Sequence, residues 1–165
     1  MRRITDDVPD IDGLPCDRLL DTDGGEYMRR YYLAQSGERQ SRFHHIVASD
    51  PDPDFHDHPW DFVSRLLVGT YIEHTPDGVV VYEAPCIIRR RAEQLHRLEL
   101  PDGPVWSYVV HGRVRRTWGF KVGGTWVPWS KYAIGRVDKC GDGIDMPSYN
   151  KPHRNKLKGR SIPNW

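Results

Sequence analysis

Residues 62–83 read FVSRLLVGTYIEHTPDGVVVYE, and this stretch decides the fold class. It contains three runs rich in β-branched, aliphatic and aromatic residues, separated first by Gly69 and then by a Pro-Asp-Gly turn. Short runs of this kind, bounded by turn residues, are typical of β-strands in antiparallel structures. We therefore expect strands on both sides of Gly69, with TYIEHT (70–75) pairing back against FVSRLLV (62–68).

The same pattern continues on both sides of this stretch. Upstream, EYMRRYYLAQ (26–35) and SRFHHIVAS (41–49) predict a hairpin that turns at SGER (36–39). Downstream, further strands are predicted at CIIRRR (86–91), LHRLEL (95–100), VWSYVVH (105–111), RTWGFKV (116–122) and TWVPW (125–129). Only KYAIGR (131–136) indicates a helix, and short strands at near-regular spacing favour a β-sandwich or barrel.

Length and charge indicate one domain without an obligatory polyanionic partner. The chain has 165 residues, with 24 Lys plus Arg against 23 Asp plus Glu. We expect an irregular segment at 1–25, a barrel at 26–135 and a basic, partly irregular tail at 136–165. The near balance of charge argues against specific nucleic-acid binding, and the tail supports at most nonspecific contact with phosphates.

The cellular compartment is predicted from the lack of a signal-peptide pattern and from the spacing of the cysteines. The N-terminus has basic residues but no apolar core of a signal peptide, and the chain has no apolar run of about 18 residues. Cys16, Cys86 and Cys140 lie far apart without C-x-x-C spacing. This usage fits three thiols in a reducing compartment, so we expect a cytoplasmic protein with no membrane partner.

A histidine pair precedes the central strands and indicates a metal site. His56 and His58, in FHDHPWDF (55–62), point to the same face of an extended segment, and His96 in LHRLEL offers a third nitrogen. Imidazole suits iron, zinc, nickel, copper and manganese, and such a site leaves coordination positions open for substrate. The alternative is that the pair is a polar strand end and His96 a surface residue.

These residues resemble the cupin superfamily, whose first motif is G(x)5-H-x-H-(x)3–4-E-(x)6-G and whose second motif centres on one histidine. His56, His58 and Gly69 match the first motif and His96 the second, over roughly residues 26–129. The resemblance implies an all-β, single-domain double-stranded β-helix, or jelly-roll barrel, and is compatible with a homodimer. Stretches 56–78 and 115–129 also look like uncharacterised small cupins of actinobacteria and their phages. This second resemblance implies no particular activity.

The chain departs from this motif at one position, because Phe62 occupies the place of the glutamate. Some cupin oxygenases resembling thiol dioxygenases also lack that glutamate and use three histidines. A carboxylate from elsewhere is the other possibility. We prefer Glu73, which either binds the metal or accepts the N–H of a ligand histidine, over an exposed edge-strand role. Asp61 points to the opposite face of a regular strand and needs a bulge to reach the metal.

Three further residues are predicted around the site. In CIIRRR, alternation places Arg89 with Ile87 on one face and Arg90 with Ile88 on the other. An inward arginine requires an anionic partner, and we expect Arg89 to face either an anionic substrate or Glu73, Glu83 or Glu93. Tyr71 and Trp118 are expected as pocket walls, because aromatic side chains commonly line small-molecule sites.

The leading functional hypothesis is a cupin that binds one divalent metal, preferably Fe(II), with Zn, Ni or Mn as alternatives. It would be a dioxygenase-like oxidoreductase acting on a small polar or anionic molecule. A metal-dependent isomerase, epimerase or lyase, with Glu73 or a histidine moving the proton, is the first alternative. A non-enzymatic ligand-binding cupin is the second.

Overall fold

The computed structural model describes residues 4–132 and the backbone of 137–139, and its elements are almost all β-strands. The strands are β1 Cys16–Leu20, β2 Glu26–Ser36, β3 Arg39–Ile46, β4 Phe55–His56, β5 Phe62–Val68, β6 Thr70–Thr75, β7 Gly78–Glu83, β8 Cys86–Arg90, β9 Arg97–Glu99, β10 Val105–His111, β11 Gly119–Val122, β12 Thr125–Pro128 and β13 Val137–Lys139. One short helix, α1 Trp129–Tyr132, follows β12 and overlaps the predicted helix at 131–136. The predicted all-β class is confirmed.

One antiparallel sheet of seven strands forms the larger layer, in the order β13-β1-β2-β3-β10-β5-β8. Two three-stranded sheets, β12-β11-β4 and β7-β6-β9, form the other side. Reciprocal hydrogen bonds of 2.9 Å between the backbones of His56 and His96 join these two smaller sheets. The opposing antiparallel sheets correspond to the expected jelly-roll barrel.

The large sheet is apolar on both faces. One face contributes Phe43, Tyr108 and Leu67 to a cluster that the N-terminal residues Leu14 and Cys16 cover. The other face contributes to the barrel interior, where a second cluster unites both layers; its buried members are Ile46, Leu66, Tyr71, Ile88, Leu98 and Val105. Strand alternation thus assigns every second residue of β3, β5 and β10 to the interior.

The path of the chain after Gly69 differs from the expectation. β6 pairs with β7 and β9, not with β5, which pairs with β8 and β10. Gly69 has φ 91°, a left-handed conformation that turns the chain out of the large sheet. A Cβ there would lie 2.7 Å from Cγ1 of Val105, so a close approach also requires glycine. β6 therefore crosses to the opposite layer, where Glu73 faces the histidines.

The ends of the chain also differ from the expectation. Cys16–Leu20 lies within the segment predicted to be irregular, yet it forms a strand between β2 and β13 of the large sheet. Cys16 is disulfide-bonded and Cys86 is a free thiol, so the expectation of three thiols is wrong.

The basic tail beyond residue 139 lies outside the residues that the structure describes. Among the described residues, no helix is long and apolar enough to cross a membrane. A cytoplasmic location and a homodimer stay predictions.

Candidate metal centre

Backbone hydrogen bonds bring the three histidines to one place. His56 ends β4, and its N–H and carbonyl pair with those of His96. Two residues on, the N–H of His58 donates to the carbonyl of Ala92 at 2.9 Å. His56 and His58 are thus fixed against the segment that leads into β9. Because His56 and His58 are two residues apart in an extended segment, both imidazoles point to the side on which His96 lies.

The imidazole nitrogens converge on a common point. The potential ligand atoms of His56, His58 and His96 all lie within 4.8 Å of one another. Nε2 of His58 lies 2.8 Å from Nε2 of His96, and the ring centroids are 4.8–5.2 Å apart. Two nitrogens that bind one ion at about 2.1 Å and at a right angle are about 3 Å apart. The spacing therefore fits a shared metal ion.

The interior keeps these imidazoles in the form that binds metals. Burial lowers the pKa of His56 to about 4, with Asp50 opposing the shift and His96 adding to it. Burial, followed by the fields of His96 and His56, holds the pKa of His58 well below its ordinary value. Both rings are therefore neutral near pH 7, and a neutral imidazole has the free lone pair that coordination requires.

Glu73 holds His96 from the side opposite the cluster. Nδ1 of His96 donates to Oε1 of Glu73 at 2.7 Å, which leaves Nε2 of the ring facing His58. Nε of Arg90 donates to the same oxygen at 2.9 Å, and Nη2 of Arg90 donates to the other oxygen. The expected alternative role of Glu73, as acceptor from a ligand histidine, matches this geometry. Its role as a metal ligand does not, because Glu73 is outside the convergent group.

Competing effects set the charge of Glu73. Its side chain is 1% exposed, and burial alone raises the pKa of the carboxyl group. Hydrogen bonds from His96 and Arg90, together with their charges, outweigh burial and lower the pKa to about 2. Glu73 is thus an ionised acceptor near neutral pH, which fixes the orientation of the His96 ring.

Asp57, the residue between the two histidines, anchors the strand from its other face. The carboxylate is fully buried and accepts hydrogen bonds from the N–H of Gly119 at 2.7 Å and from Nε1 of Trp126 at 3.0 Å. Arg116 donates to it as well. Because these donors belong to the β11–β12 hairpin or to the segment before it, Asp57 ties the histidine pair to that hairpin.

Aromatic rings surround the imidazoles. The ring of Phe62 lies 4.8 Å from that of His58 and 6.4 Å from that of His96. The position that carries glutamate in the motif therefore presents a hydrocarbon ring to the site. Trp118, predicted as a pocket wall, lies edge-on to His56 with centroids 6.3 Å apart, and Trp60 lies 5.7 Å from His58. Together these rings make the surroundings of the site apolar.

Three of the candidate residues lie elsewhere. Arg89 is exposed, which contradicts its predicted inward position, because Ile88 and Arg90 form the interior face of β8. Tyr71 packs in the interior apolar cluster, 5.5 Å from the ring of Tyr82. Asp61 is exposed and accepts hydrogen bonds from the N–H of Ala92 and from Arg115.

Sequence reasoning missed Arg90 and Asp57. Arg90 was recognisable as the alternate face of CIIRRR, and its register partner in β5 is Phe62, beside the histidines. Asp57 had a signal in the H-D-H step, since a carboxylate between two inward histidines must face the other side and find donors there. The sequence pattern indicated the orientation of each residue, but the partners, Glu73 for Arg90 and Gly119 for Asp57, lie on distant strands.

Comparison with known proteins supports the fold. No protein-family model and no curated protein matches the chain. A cupin-2 domain structure from Rhodospirillum rubrum matches with TM-score 0.59 at 10% identity, covering 74% of this chain and 84% of that one. A cupin-2 barrel protein from Rhodopseudomonas palustris matches with TM-score 0.57 at 10% identity, over 68% and 80%.

Two structures of named proteins also match. A structure of FeII HppE has TM-score 0.51 and 11% identity, over 67% of this chain and 64% of that one. A structure of DMSP lyases has TM-score 0.44 and 13% identity, and this chain spans 47% of its length. At these identities the three matches with TM-scores above 0.5 show a shared fold and no more, and the site is interpreted from its own residues.

Proposed function

Because the chain has the cupin fold, we propose that His56, His58 and His96 hold one divalent metal ion, and that the protein is an Fe(II)-dependent oxygenase of a small polar or anionic molecule. The observation that carries this proposal is the convergence of three imidazoles with no carboxylate among the ligand atoms of the described residues. Two of these imidazoles are neutral near pH 7, as metal binding requires.

The composition of the ligand set favours this chemistry. Three neutral ligands leave the full positive charge of a divalent ion uncompensated, which favours an anionic substrate at the open positions. Bound iron would supply redox chemistry with dioxygen and Lewis-acid polarisation of the substrate. The match to a cupin-fold structure described as FeII supports iron as the first metal to test, with zinc, nickel and manganese as alternatives.

The surrounding residues have two tasks in this proposal. Glu73 orients His96 and keeps the proton on Nδ1, so that Nε2 remains the ligand atom. Phe62, Trp60 and Trp118 exclude water from the three imidazoles. Exclusion of water strengthens electrostatic interactions with a bound anion and suppresses side reactions.

The position of Glu73 counts against the isomerase, epimerase or lyase alternative. That mechanism requires a group that accepts and returns a proton near neutral pH. Glu73 has a pKa of about 2 and is held on both oxygens by Arg90. A carboxylate in this state is a poor proton shuttle, which counts against the form of this alternative in which Glu73 moves the proton.

The proposal is tested by oxygen uptake. Protein purified without a histidine tag is loaded with Fe(II) under anaerobic conditions and mixed with a panel of small organic acids and thiols in an oxygen electrode. We expect substrate-dependent uptake that disappears with Zn(II) in place of iron and in His58→Ala. Turnover of a panel compound by the Zn(II) form without oxygen would contradict the oxygenase and support the isomerase or lyase.

A further inference from the structure

Asp50 is held by backbone hydrogen bonds on β9, beside the three histidines. Its N–H donates to the carbonyl of Leu98 at 2.9 Å, and the N–H of Leu98 donates to Oδ2 of Asp50 at 2.7 Å. Two residues earlier in the chain than Leu98, His96 forms its reciprocal backbone hydrogen bonds with His56. The loop that leads into His56 therefore leaves this segment at Leu98 and returns to it at His96, which brings Asp50 close to His56.

The carboxylate of Asp50 lies beside one particular nitrogen of His56. Oδ2 of Asp50 is 3.9 Å from Nδ1 of the ring, and the Asp50 side chain is 8% exposed. The terminal torsion of a histidine side chain has a broad energy minimum, so a small rotation of the ring closes this contact to a hydrogen bond at little cost. A carboxylate accepts hydrogen bonds and donates none, so it favours the tautomer with the proton on Nδ1. That tautomer leaves the lone pair on Nε2.

His96 has the same relationship with a different carboxylate. Its Nδ1 donates to Glu73, and its Nε2 faces His58. Asp50 and Glu73 come from different parts of the chain, the loop before β4 and the strand β6, and neither belongs to the convergent group of ligand atoms. A carboxylate behind a ligand imidazole fixes the tautomer and orientation of the ring and raises its basicity. The geometry therefore gives His56 and His96 one orienting carboxylate each.

We propose that Asp50 is a positioning residue of the metal centre: its carboxylate holds the proton of His56 on Nδ1, so that Nε2 is presented to the ion. The inference rests on the proposed function, because His56 is a ligand only where a metal binds. The position of the proton is nevertheless a property of the metal-free protein. It is therefore measured separately from metal binding.

The variants separate the charge of Asp50 from its hydrogen bond to the backbone. In Asp50→Asn an amide oxygen still accepts from the N–H of Leu98, but the charge beside His56 is lost. Asp54→Asn is the matched control, because it removes the same charge from the same loop, at a carboxylate that accepts a hydrogen bond from the hydroxyl of Tyr132 at 2.8 Å. His56→Gln identifies the signals of His56. Circular dichroism and urea unfolding are recorded for each variant.

The first measurement is the tautomer of His56 in protein treated with EDTA, by long-range nitrogen–proton NMR near neutral pH. We expect the form protonated on Nδ1 to predominate in wild type and in Asp54→Asn. In Asp50→Asn the ratio of the two tautomers should shift at least about fivefold toward the form protonated on Nε2, which is the scale of one interaction with a charged group. A purely structural role of Asp50 would leave this ratio unchanged.

The second measurement is the affinity for Zn(II), by competition with a chelator. Asp50→Asn should weaken it about tenfold or more, whereas Asp54→Asn should stay within about threefold of wild type. A wild-type protein with its proton on Nε2 of His56, an unchanged tautomer ratio in Asp50→Asn, or an unchanged Zn(II) affinity in that variant would each overturn the positioning role.

Failure of this inference and failure of the metal function give different results. If wild-type protein binds no Zn(II) but the tautomer of His56 depends on Asp50, the metal function fails and the interaction between Asp50 and His56 stands. If Zn(II) binds stoichiometrically and Asp50→Asn changes neither the tautomer nor the affinity, the role of Asp50 fails and the metal function stands.

Discussion

Nδ1 of His96 lies 2.7 Å from Oε1 of Glu73, so a carboxylate from β6 orients the histidine that precedes β9. The same carboxylate is held by Arg90 of β8. Glu73, from the three-stranded sheet β7-β6-β9, and Arg90, from the seven-stranded sheet, thus meet behind the imidazole of His96. The orientation of His96 depends on the barrel being closed, which links the integrity of the fold to the geometry of the site.

The Glu73–His96 interaction predicts a loss of metal affinity in Glu73→Gln. Loss of the charged acceptor weakens control of the His96 ring, and such changes around metal sites typically cost about 10–100-fold in affinity. Glu99→Gln is the matched control, because Glu99 accepts a hydrogen bond from His74 at 2.7 Å in the same small sheet, away from the cluster. Competition with a chelator measures both. Equal affinities for the two variants would contradict an orienting role for Glu73.

Asp57 is predicted to be a large contributor to stability. Asp57→Asn places an amide where the N–H of Gly119, Arg116 and Trp126 all donate to a buried carboxylate. We expect the free energy of unfolding in urea to fall by about 2–3 kcal/mol. Asp61→Asn, at an exposed aspartate paired with Arg115, should cost less than about 1 kcal/mol. A similar cost for both variants would argue against the anchor at Asp57.

Asp17 is predicted to make stability depend on pH in the acid range. Burial raises the pKa of its carboxyl group, but the charge and hydrogen bonds of Arg30, with Arg42 and Tyr32, lower it overall. Because the unfolded value is about 4, this stabilisation is complete above pH 4 and is lost as the pH falls toward the folded-state pKa. Asp17→Asn should cost about 3–5 kcal/mol at pH 7. Its penalty should shrink at pH 3; an unchanged penalty would contradict the ion pair.

Gly69 is predicted to tolerate no side chain. Its φ of 91° strains any other residue, and a Cβ would also meet Cγ1 of Val105 at 2.7 Å. Gly103 has a similar φ of 99° but open space around the Cβ position. Gly69→Ala should therefore destabilise the protein by about 1–3 kcal/mol more than Gly103→Ala in urea unfolding. Equal losses would show that backbone strain alone explains the glycine.

The common side of His56 and His58 was predictable because it depends on a local feature, the H-x-H step, which fixes both side chains on one face through the strand period. The approach of His96 depends on its backbone pairing with His56, and the sequence indicated it only through the resemblance to the second cupin motif. The crossing of β6 into the other layer was not predictable in the same way. It depends on the conformation of Gly69 and on the approach of Val105, a residue on a distant strand.

The arginines of β8 show the same limit. Alternation correctly separates Arg89 from Arg90, but which face is interior is set by register with β5, where Arg90 lies opposite Phe62. Register is a property of two strands together. The interior role of Arg90, and its partner Glu73, follow only once β6 is placed across the barrel.

The central claim is a metal ion held by His56, His58 and His96, and metal stoichiometry tests it most directly. Protein purified without a histidine tag is incubated with Fe(II) under anaerobic conditions, desalted and analysed by mass spectrometry of the metal, beside His56→Ala and the control His74→Ala. We predict about one equivalent of metal in wild type and His74→Ala, and at least tenfold less bound metal in His56→Ala. Less than a tenth of an equivalent in wild type, or equal binding by His56→Ala, would contradict the claim.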